Sequence, residues 1–462
     1  MIKIITSGAE LEELQSKWED LAVGSDAYSI YNQPKLLKIW WDNFGADGTP
    51  KPFILKRGFE IAGEASLIKS LFVVVCFEQN EVIGILPLMR VSARPKGEKL
   101  FMDYLMFIGD YIFTPTPSIT VKKGREEEVF EEIADYFSSA ENCDVLVLAP
   151  LIPNSNTANF SDVLYKKING TKIYAPLQEV LFTKHWDKEK IIRKLNRLVD
   201  MDDNADRNGS INEFIEKIAG LDEATFSRLC IADITPQLEN LLLLFNSAPA
   251  ETRGLITAIH HDVSPSQPFV YQIADLPDNK KALLRSISEP LKRKYNHFIN
   301  GEKNEIDFSF QNKLTDDEYI KFIDLHRKSF PNSLHFSQFT GNYYKVLLKQ
   351  LEKDNNLMWL IGRGKDGAPV SFILLCQFGN VMSYIVAARD ASFDKLNLGS
   401  VGLLVSMLKS IELGCKKFDF RIGNEMYKSG FGTNKHLLCA LLVAKTEKDL
   451  SKLISKQWLI KY

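Results

Sequence analysis

The sequence predicts a mixed α/β (α+β) fold written twice in tandem, each copy a mixed central sheet flanked by helices. Three observations predict it. Residues 71–148 and 357–428 repeat one order of strand, hairpin, strand, helix and strand. In each copy the hairpin requires antiparallel pairing and the strand–helix–strand crossover requires a parallel pair, so the sheets are mixed. Between the copies, residues 200–209 are polar and turn-rich, and the pattern after them is helical. The expected division is an N-terminal domain over 1–189, a mostly helical insertion over 190–280 and a C-terminal domain over 281–462.

The elements follow in order. Residues 9–44 read as two amphipathic helices around a turn, with Trp18, Leu21, Leu36, Leu37, Trp40 and Trp41 on their apolar faces. Leu71 to Phe77 and Val82 to Met89 are strands joined by a tight turn at Gln79-Asn80. Strand-like pieces recur at 104–108 and 118–121. A helix from Glu126 to Phe137 and a strand ending at Leu148 close the first copy. In the insertion, the stretch from Ile211 to Phe245 has helical periodicity, and a short strand is expected near 269–273. A basic segment from Ala282 to His297 leads into a strand over 305–310 and a helix over 316–330. The second copy then runs through strands at 357–361, 370–378 and 381–387. A helix over 400–413 follows, with Gly414 as its C-cap, and the strand from Lys417 to Phe420 closes it.

Composition narrows the function classes. The chain has 462 residues, 45% of them hydrophobic, enough for two or three cores. Its net charge of -2 gives no basic field for DNA and argues against a large tRNA footprint. No apolar run is long enough to span a bilayer, and the N-terminus lacks the apolar core of a signal peptide. The six scattered cysteines read as free thiols in a reducing cytosol, so a cytoplasmic location is expected. No CxxC pair occurs, and the seven histidines, including the adjacent His260-His261, show no metal spacing. No metal cofactor is expected.

The run from Lys417 to Lys428 carries the most chemistry. Phe418 and Phe420 alternate with Asp419 and Arg421, the period of a strand with one face in a core. Gly423 breaks the strand, and Glu425, Tyr427 and Lys428 follow within one short loop. A carboxylate, a phenol and an amine at a strand end are acid–base groups. A solvated loop after a core strand is the other reading of the same residues. A second constellation is Asn397-Leu398-Gly399-Ser400-Val401-Gly402, after a strand and at a helix start. The helix N-terminus offers unpaired N–H groups, and glycine lets a phosphate approach them. A plain N-cap or close-packing site has the same signature. The matching stretch of the first copy has Gly124 followed by Glu126, Glu127 and Glu128, which repel phosphate. Chemistry is therefore expected in the second copy. His326 sits on a helix among Phe322, Ile323 and Leu325, where it is either structural or a site residue. The basic cluster Lys292-Arg293-Lys294 is a solvated face or an attractor for a phosphate-bearing substrate.

These residues resemble the GNAT superfamily of acetyltransferases. In particular they are similar to the tandem-GNAT, cellulose-biosynthesis-type acetyltransferases, relatives of the Fem-type aminoacyl transferases. Trp40-Trp41 with Phe44-Gly45, and the stretch from Val82 to Leu88, resemble that family's first half. Leu291 to Gly301 is similar to its basic helix, and Leu325-His326-Arg327 to its helix motif. The segment from Leu398 to Gly402 stands where the family places the acyl-CoA loop. Gly414, Phe418-Asp419-Phe420, Gly423, Glu425, Tyr427 and Lys428 are the closest match. The 190–280 insertion departs from the family layout, and the loop before Gly399 lacks the usual Arg/Gln-x-x-Gly-x-Gly/Ala form.

What the resemblance implies is acyl transfer from acetyl-CoA or another acyl-CoA to an amine, such as an amino sugar of a cell-envelope or exopolysaccharide precursor. Glu425 would serve as base, directly or through water. The splayed strand ahead of Gly399 would supply an N–H to the tetrahedral intermediate. Tyr427 or Lys428 would protonate the departing thiolate. Asp419 would orient Lys428 or a substrate amine. Two alternatives stand beside this reading: a Fem-like transferase using aminoacyl-tRNA, and a non-catalytic scaffold that binds partners through the insertion.

Overall fold

The computed structural model describes residues 1–23, 30–45, 66–93, 102–109, 118–139, 143–168, 171–176, 178–180, 188–201, 204–221, 252, 255, 259, 266–268, 270–300, 306–330, 336, 340–423, 425–444 and 446. The helix expected over 222–245, His260-His261, Cys230 and Gly301 lie outside these residues. The chain divides into two compact units, Met1–Leu177 with Phe269–Ile460, and Gln178–Pro268.

The larger unit holds two mixed sheets flanked by helices, the architecture expected from the sequence. The first contains β1 (Ile2–Ile5), β2 (Ser66–Glu78), β3 (Glu81–Ala93), β4 (Met102–Phe107), β5 (Thr120–Val121), β6 (Val145–Leu151) and β7 (Thr171–Pro176). Helices α1 (Gly8–Val23), α2 (Pro34–Trp40), α3 (Glu126–Ser139) and α4 (Asn156–Lys167) accompany it. β2 and β3 pair antiparallel around Gln79 and Asn80, both with positive φ, 47° and 73°. That is the backbone a two-residue hairpin turn needs to match strand twist. β4 and β6 pair parallel across α3, the expected crossover. Leu86, Leu148 and Phe160 are fully buried in the core beneath.

The smaller unit contains β8 (Gln178–Val180), paired antiparallel with β9 (Ser266–Pro268), together with α5 (Lys188–Asp200) and α6 (Ala205–Ala219). The chain thus enters and leaves this unit through one two-stranded ribbon.

The second sheet is built from β10 (Val270–Asp275), β11 (Ile306–Gln311), β12 (Leu357–Gly364), β13 (Pro369–Phe378), β14 (Val381–Arg389), β15 (Lys417–Ile422) and β16 (Asn434–Leu437), in the order β11-β12-β13-β14-β15-β10-β16. Its helices are α7 (Lys280–Ser286), α8 (Glu289–Asn300), α9 (Asp316–Ser329), α10 (Gly341–Lys353) and α11 (Leu398–Glu412). β14 and β15 pair parallel across α11, as β4 and β6 do across α3. Strand alternation gives the sheet two faces. Leu360, Ile373, Met382, Phe418 and Phe420 pack with Leu403, Leu404 and Met407 of α11. On the other face, Phe322 of α9 packs edge-on against Trp359 at 4.9 Å and Phe372 at 5.8 Å.

Two strands depart from a simple division at 189 and 280. β10 lies within the expected insertion yet pairs with β15 and β16 in the second sheet. The last strand, β17 (Cys439–Ala444), leaves the second sheet after β16 and inserts between β6 and β7 of the first. The halves therefore share strands. Leu441 on β17 is fully buried in the first core, whereas Leu437 one strand earlier is 66% exposed. Leu441→Ala is expected to cost about 2–5 kcal/mol in urea unfolding. Leu437→Ala is expected to stay within about 0.5 kcal/mol of the parent.

Candidate active site

The site begins where β14 and β15 separate. Their parallel ladder covers only Val381–Ser383 against Lys417–Asp419. Past that point both strands carry a bulge. On β14, Leu374 of β13 faces Val386 and Leu375 faces Tyr384, so Ile385 is the extra residue. On β15, Gln272 of β10 faces Arg421 and Ile273 faces Asp419, so Phe420 is extra. Arg421 adopts φ of 63°, a left-handed backbone that breaks the ladder and turns the strand away. Its Nη1 donates to the carbonyl of Ile385 at 2.9 Å, clipping one bulge to the other strand. The result is a fork with β14 on one side and the chain after β15 on the other.

Asp419 is buried at the base of the fork, at 2% exposure. It accepts from the Arg421 backbone N–H at 2.6 Å and from Ser383 Oγ at 3.3 Å, and Tyr271 adds a third hydrogen bond. Burial nevertheless pushes its carboxyl above the ordinary range, against the pull of Arg421. Phe418 and Phe420 face α11, so strand alternation sends Asp419 to the opposite face.

Gly423 ends the strand at φ of 131°, a backbone that side chains rarely adopt. A Cβ there would stand 2.2 Å from Oε2 of Glu425. Glycine is thus what lets the Glu425 carboxylate fold back over its own loop. Glu425 Oε2 lies 2.8 Å from Nζ of Lys428, which also donates to the Ile422 carbonyl at 3.1 Å. Lys428 is 2% exposed and Glu425 is 52% exposed. The pair therefore has a buried cation and a carboxylate that reaches water. Of the two tasks expected of Asp419, orienting Lys428 or orienting a substrate amine, the first has no direct contact behind it, since Asp419 and Lys428 each carry their own partners. A 3₁₀ turn over Met426–Phe431 holds this loop, and Ser288, just before α8, donates its N–H to the Gly430 carbonyl at 2.8 Å. Buried Gln272 donates to the Gly423 carbonyl at 2.6 Å and lies 2.9 Å from Thr433 Oγ1, bracing the loop from β10.

Tyr427, 40% exposed, lies near Tyr384 of β14, close enough for each phenol to act on the other. Burial raises both phenols, and the Glu425 charge raises them further. Tyr384 is pushed up to about 12 and Tyr427 higher still. Tyr384 packs on the core beneath α11, and the Tyr427 ring lies edge-on at 6.4 Å from Phe431 of the same core. Sequence reasoning missed Tyr384, Ser383, Tyr271, Gln272 and Arg421. The signal available for Tyr384 was a hydroxyl-bearing pair, Ser383-Tyr384, inside an otherwise apolar strand.

The helix-start constellation divides. Leu398 and Val401 are buried core residues. A Cβ on Gly402 would meet Ile373 Cδ1 at 2.8 Å, so that glycine seats α11 on the sheet. Gly399 faces open space, with nothing within 4 Å of its Cβ position. Asn397, at φ of 54°, provides no side-chain cap. The amides of Leu398, Gly399 and Ser400 therefore point outward without helical acceptors, above an open glycine. That arrangement fits a phosphate group. The first copy differs at this point, since α3 opens on three glutamates and Arg125 pairs there with Glu78 and Glu128.

His326 is buried in α9, its Nδ1 3.0 Å from the Ala387 carbonyl of β14. Its ring packs against Phe322, Phe330 and Phe336. Burial lowers its pKa, so it is neutral and ties α9 to β14. A separate pocket of about 520 Å³ on the outer flank of α9 is lined by Tyr319, Ile323, Arg327, Phe336 and Lys345 among others, and by none of the candidate residues. Among the described residues, no cluster of metal-ligating side chains occurs, and no helix is long and apolar enough to cross a membrane.

Residues 291–429 match the family described as Acetyltransferase (GNAT) domain. That stretch contains the fork, Glu425, Tyr427 and Lys428. No curated protein matches the chain. Among solved structures, FemX is similar at 10% identity over 98% of this chain and 99% of that one, with a TM-score of 0.47. L-PGS from Bacillus licheniformis is similar at 8% identity over 96% of each chain, TM-score 0.42. A tandem GNAT protein from the clavulanic acid biosynthesis pathway is similar at 9% identity over 96% of this chain and 98% of that one, TM-score 0.38. Similarities of this size say nothing of activity. Residues 291–429 carry a GNAT acetyltransferase domain, which supports an N-acyltransferase activity.

The His326 environment has a measurable consequence. Its folded pKa is lowered, so the unfolded chain binds the proton first as pH falls. Its contribution to stability is full above the ordinary value of about 6.5 and is lost as pH drops through it. Urea unfolding between pH 7.5 and 5 should show stability falling with acid. His326→Phe should flatten that slope, and an unchanged slope would contradict the buried neutral imidazole.

Proposed function

We propose that the protein transfers an acyl group, acetyl in the first instance, from acyl-CoA to a primary amine. The observation that carries this reading is the half-exposed Glu425 carboxylate, held by buried Lys428 beside the β14–β15 fork, with the Tyr427 and Tyr384 phenols clustered near it. The amides of Leu398, Gly399 and Ser400 would receive the donor's pyrophosphate above Gly399. The thioester would lie along β14 past Ser383, where the strand has no β15 partner and its amides can receive the oxyanion.

Each candidate residue has a distinct task in this scheme. The acceptor arrives as an ammonium and must lose a proton before it attacks. Glu425 is the half-exposed carboxylate available to take it, directly or through water. Lys428 is buried and held by Glu425 and the Ile422 carbonyl, so it fixes the carboxylate rather than donating to the thiolate. Asp419 holds the turn at Arg421 and thereby the fork. His326 fixes β14 from the opposite helix. The departing thiolate takes its proton from a phenol of the cluster.

The acceptor class we favour is an amino sugar of a cell-envelope or exopolysaccharide precursor, as the resemblance to cellulose-biosynthesis-type acetyltransferases suggests. Glu425 would attract its ammonium, and the exposed Tyr427 ring offers a face on which a sugar can pack.

Acetyl-CoA at a hundred times its Kd is expected to stabilise the protein by about 2.7 kcal/mol, read as a rise in Tm. No shift at millimolar ligand would contradict the donor assignment. Glu425→Gln keeps an oxygen for Lys428 to donate to, so the fold is expected to persist while kcat falls about 10²–10⁴-fold. Turnover equal to the parent's would remove Glu425 from the reaction.

A further inference from the structure

The pocket beside α9 takes its walls from two helices. Tyr319, Ile323 and Arg327 follow one another at intervals of four residues, so they form one stripe of α9. Eight residues of helix span about 12 Å, the length of that wall. Gly341 and Lys345 line the pocket from the start of α10. Phe336, 2% exposed, also lines it, with its ring 5.0 Å edge-on from Phe322 and 4.3 Å from Tyr344. The cavity of about 520 Å³ has the size of a small-molecule site.

Its charge is one-sided. Arg327 donates from Nη2 to the Phe336 carbonyl at 3.3 Å, which turns a guanidinium with further N–H groups toward the pocket. Among the described residues, neither Arg327 nor Lys345 forms an ion pair. Asp324 also lines the pocket, but its carboxylate is paired with Lys328 at 2.8 Å. The first turn of α10 contains no acidic residue, and a Cβ on Gly341 would meet nothing within 4 Å. A charged group can therefore come close to the helix start beside two cations.

We propose that this pocket is a second binding site, for a small anion with an aromatic body. Arg327 and Lys345 hold its carboxylate or phosphate, and Tyr319, Ile323 and Phe336 receive its ring. Each half of that ligand answers a different part of the pocket. Exposed cations hold a bare anion weakly, because water and salt screen the charge. A neutral ring would cover the apolar wall and leave both cations without an acceptor. An anionic ring uses the hydrophobic contact and the charge-assisted hydrogen bonds together. None of Glu425, Tyr427, Lys428 or Gly399 lines the pocket, so its occupation needs no acyl donor.

The test is calorimetric titration of the full chain, without acyl-CoA, with phenyl phosphate, benzoate, inorganic phosphate and benzyl alcohol. At least one of the two ring acids is expected to bind about tenfold more tightly than both inorganic phosphate and benzyl alcohol. The tighter of the two identifies the acidic group the site prefers. Arg327 and Lys345 are exposed, so Arg327→Gln and Lys345→Gln are expected to keep the parent Tm. Each is expected to weaken the ring acid about tenfold. Tyr319→Ala is expected to weaken the ring acid and leave inorganic phosphate unchanged. No binding of either ring acid at millimolar concentration would overturn the site. So would a Kd that neither Arg327→Gln nor Lys345→Gln alters, since the ligand would then sit elsewhere. Inorganic phosphate binding as tightly as the ring acid would also overturn it, because the apolar wall would contribute nothing. With acetyl-CoA absent, each of these failures leaves the acyl-transfer reading as it stands.

Discussion

The parallel ladder between β14 and β15 stops at Ser383 and Asp419, and the candidate site depends on that stop. Two extra residues, Ile385 and Phe420, throw the strands out of register from opposite sides. Arg421 then fixes the opening in both directions. Its left-handed backbone turns β15 away, and its guanidinium returns to hold the Ile385 carbonyl. Asp419 secures the turn by accepting the Arg421 N–H. A fork made this way is an opening in the sheet, and it leaves β14 past Ser383 without a β15 partner.

Charge burial explains the arrangement around the fork. Lys428 is one of the largest fully buried side chains, and a buried ammonium without a partner would be expensive. Glu425 supplies the partner while keeping half of its own surface in water. The same contact therefore stabilises the loop and aims a carboxylate outward. Gly423 makes the contact possible, since any side chain there would displace the carboxylate. Asp419 solves the opposite problem on the other face. It is enclosed and hydrogen-bonded, and its raised pKa marks a group that maintains geometry.

The fold was legible wherever it rests on local pattern. Apolar alternation and the Gln79-Asn80 turn specify the first hairpin, and the strand–helix–strand order specifies both crossovers. Strand sharing between the halves was not legible. β17 reads as an ordinary apolar run, and nothing local says that it pairs with β6, nearly three hundred residues earlier. The site was legible as a location more than as an arrangement. Glu425, Tyr427 and Lys428 do gather, but Asp419 falls on the other face because strand alternation outweighs nearness in sequence. Gly399 and Gly402 look alike in the sequence, yet one faces open space and the other seats a helix on Ile373. Tyr384 reaches the site through tertiary pairing alone, which no motif around Glu425 encodes.

The central claim is that the fork and the start of α11 together hold the acyl donor. Amide hydrogen exchange with and without acetyl-CoA measures this directly. The account predicts that the donor slows exchange at residues 385–387 of β14 and 398–401 of α11, with the first sheet unchanged. Protection elsewhere, with both of these segments unaffected, would contradict it.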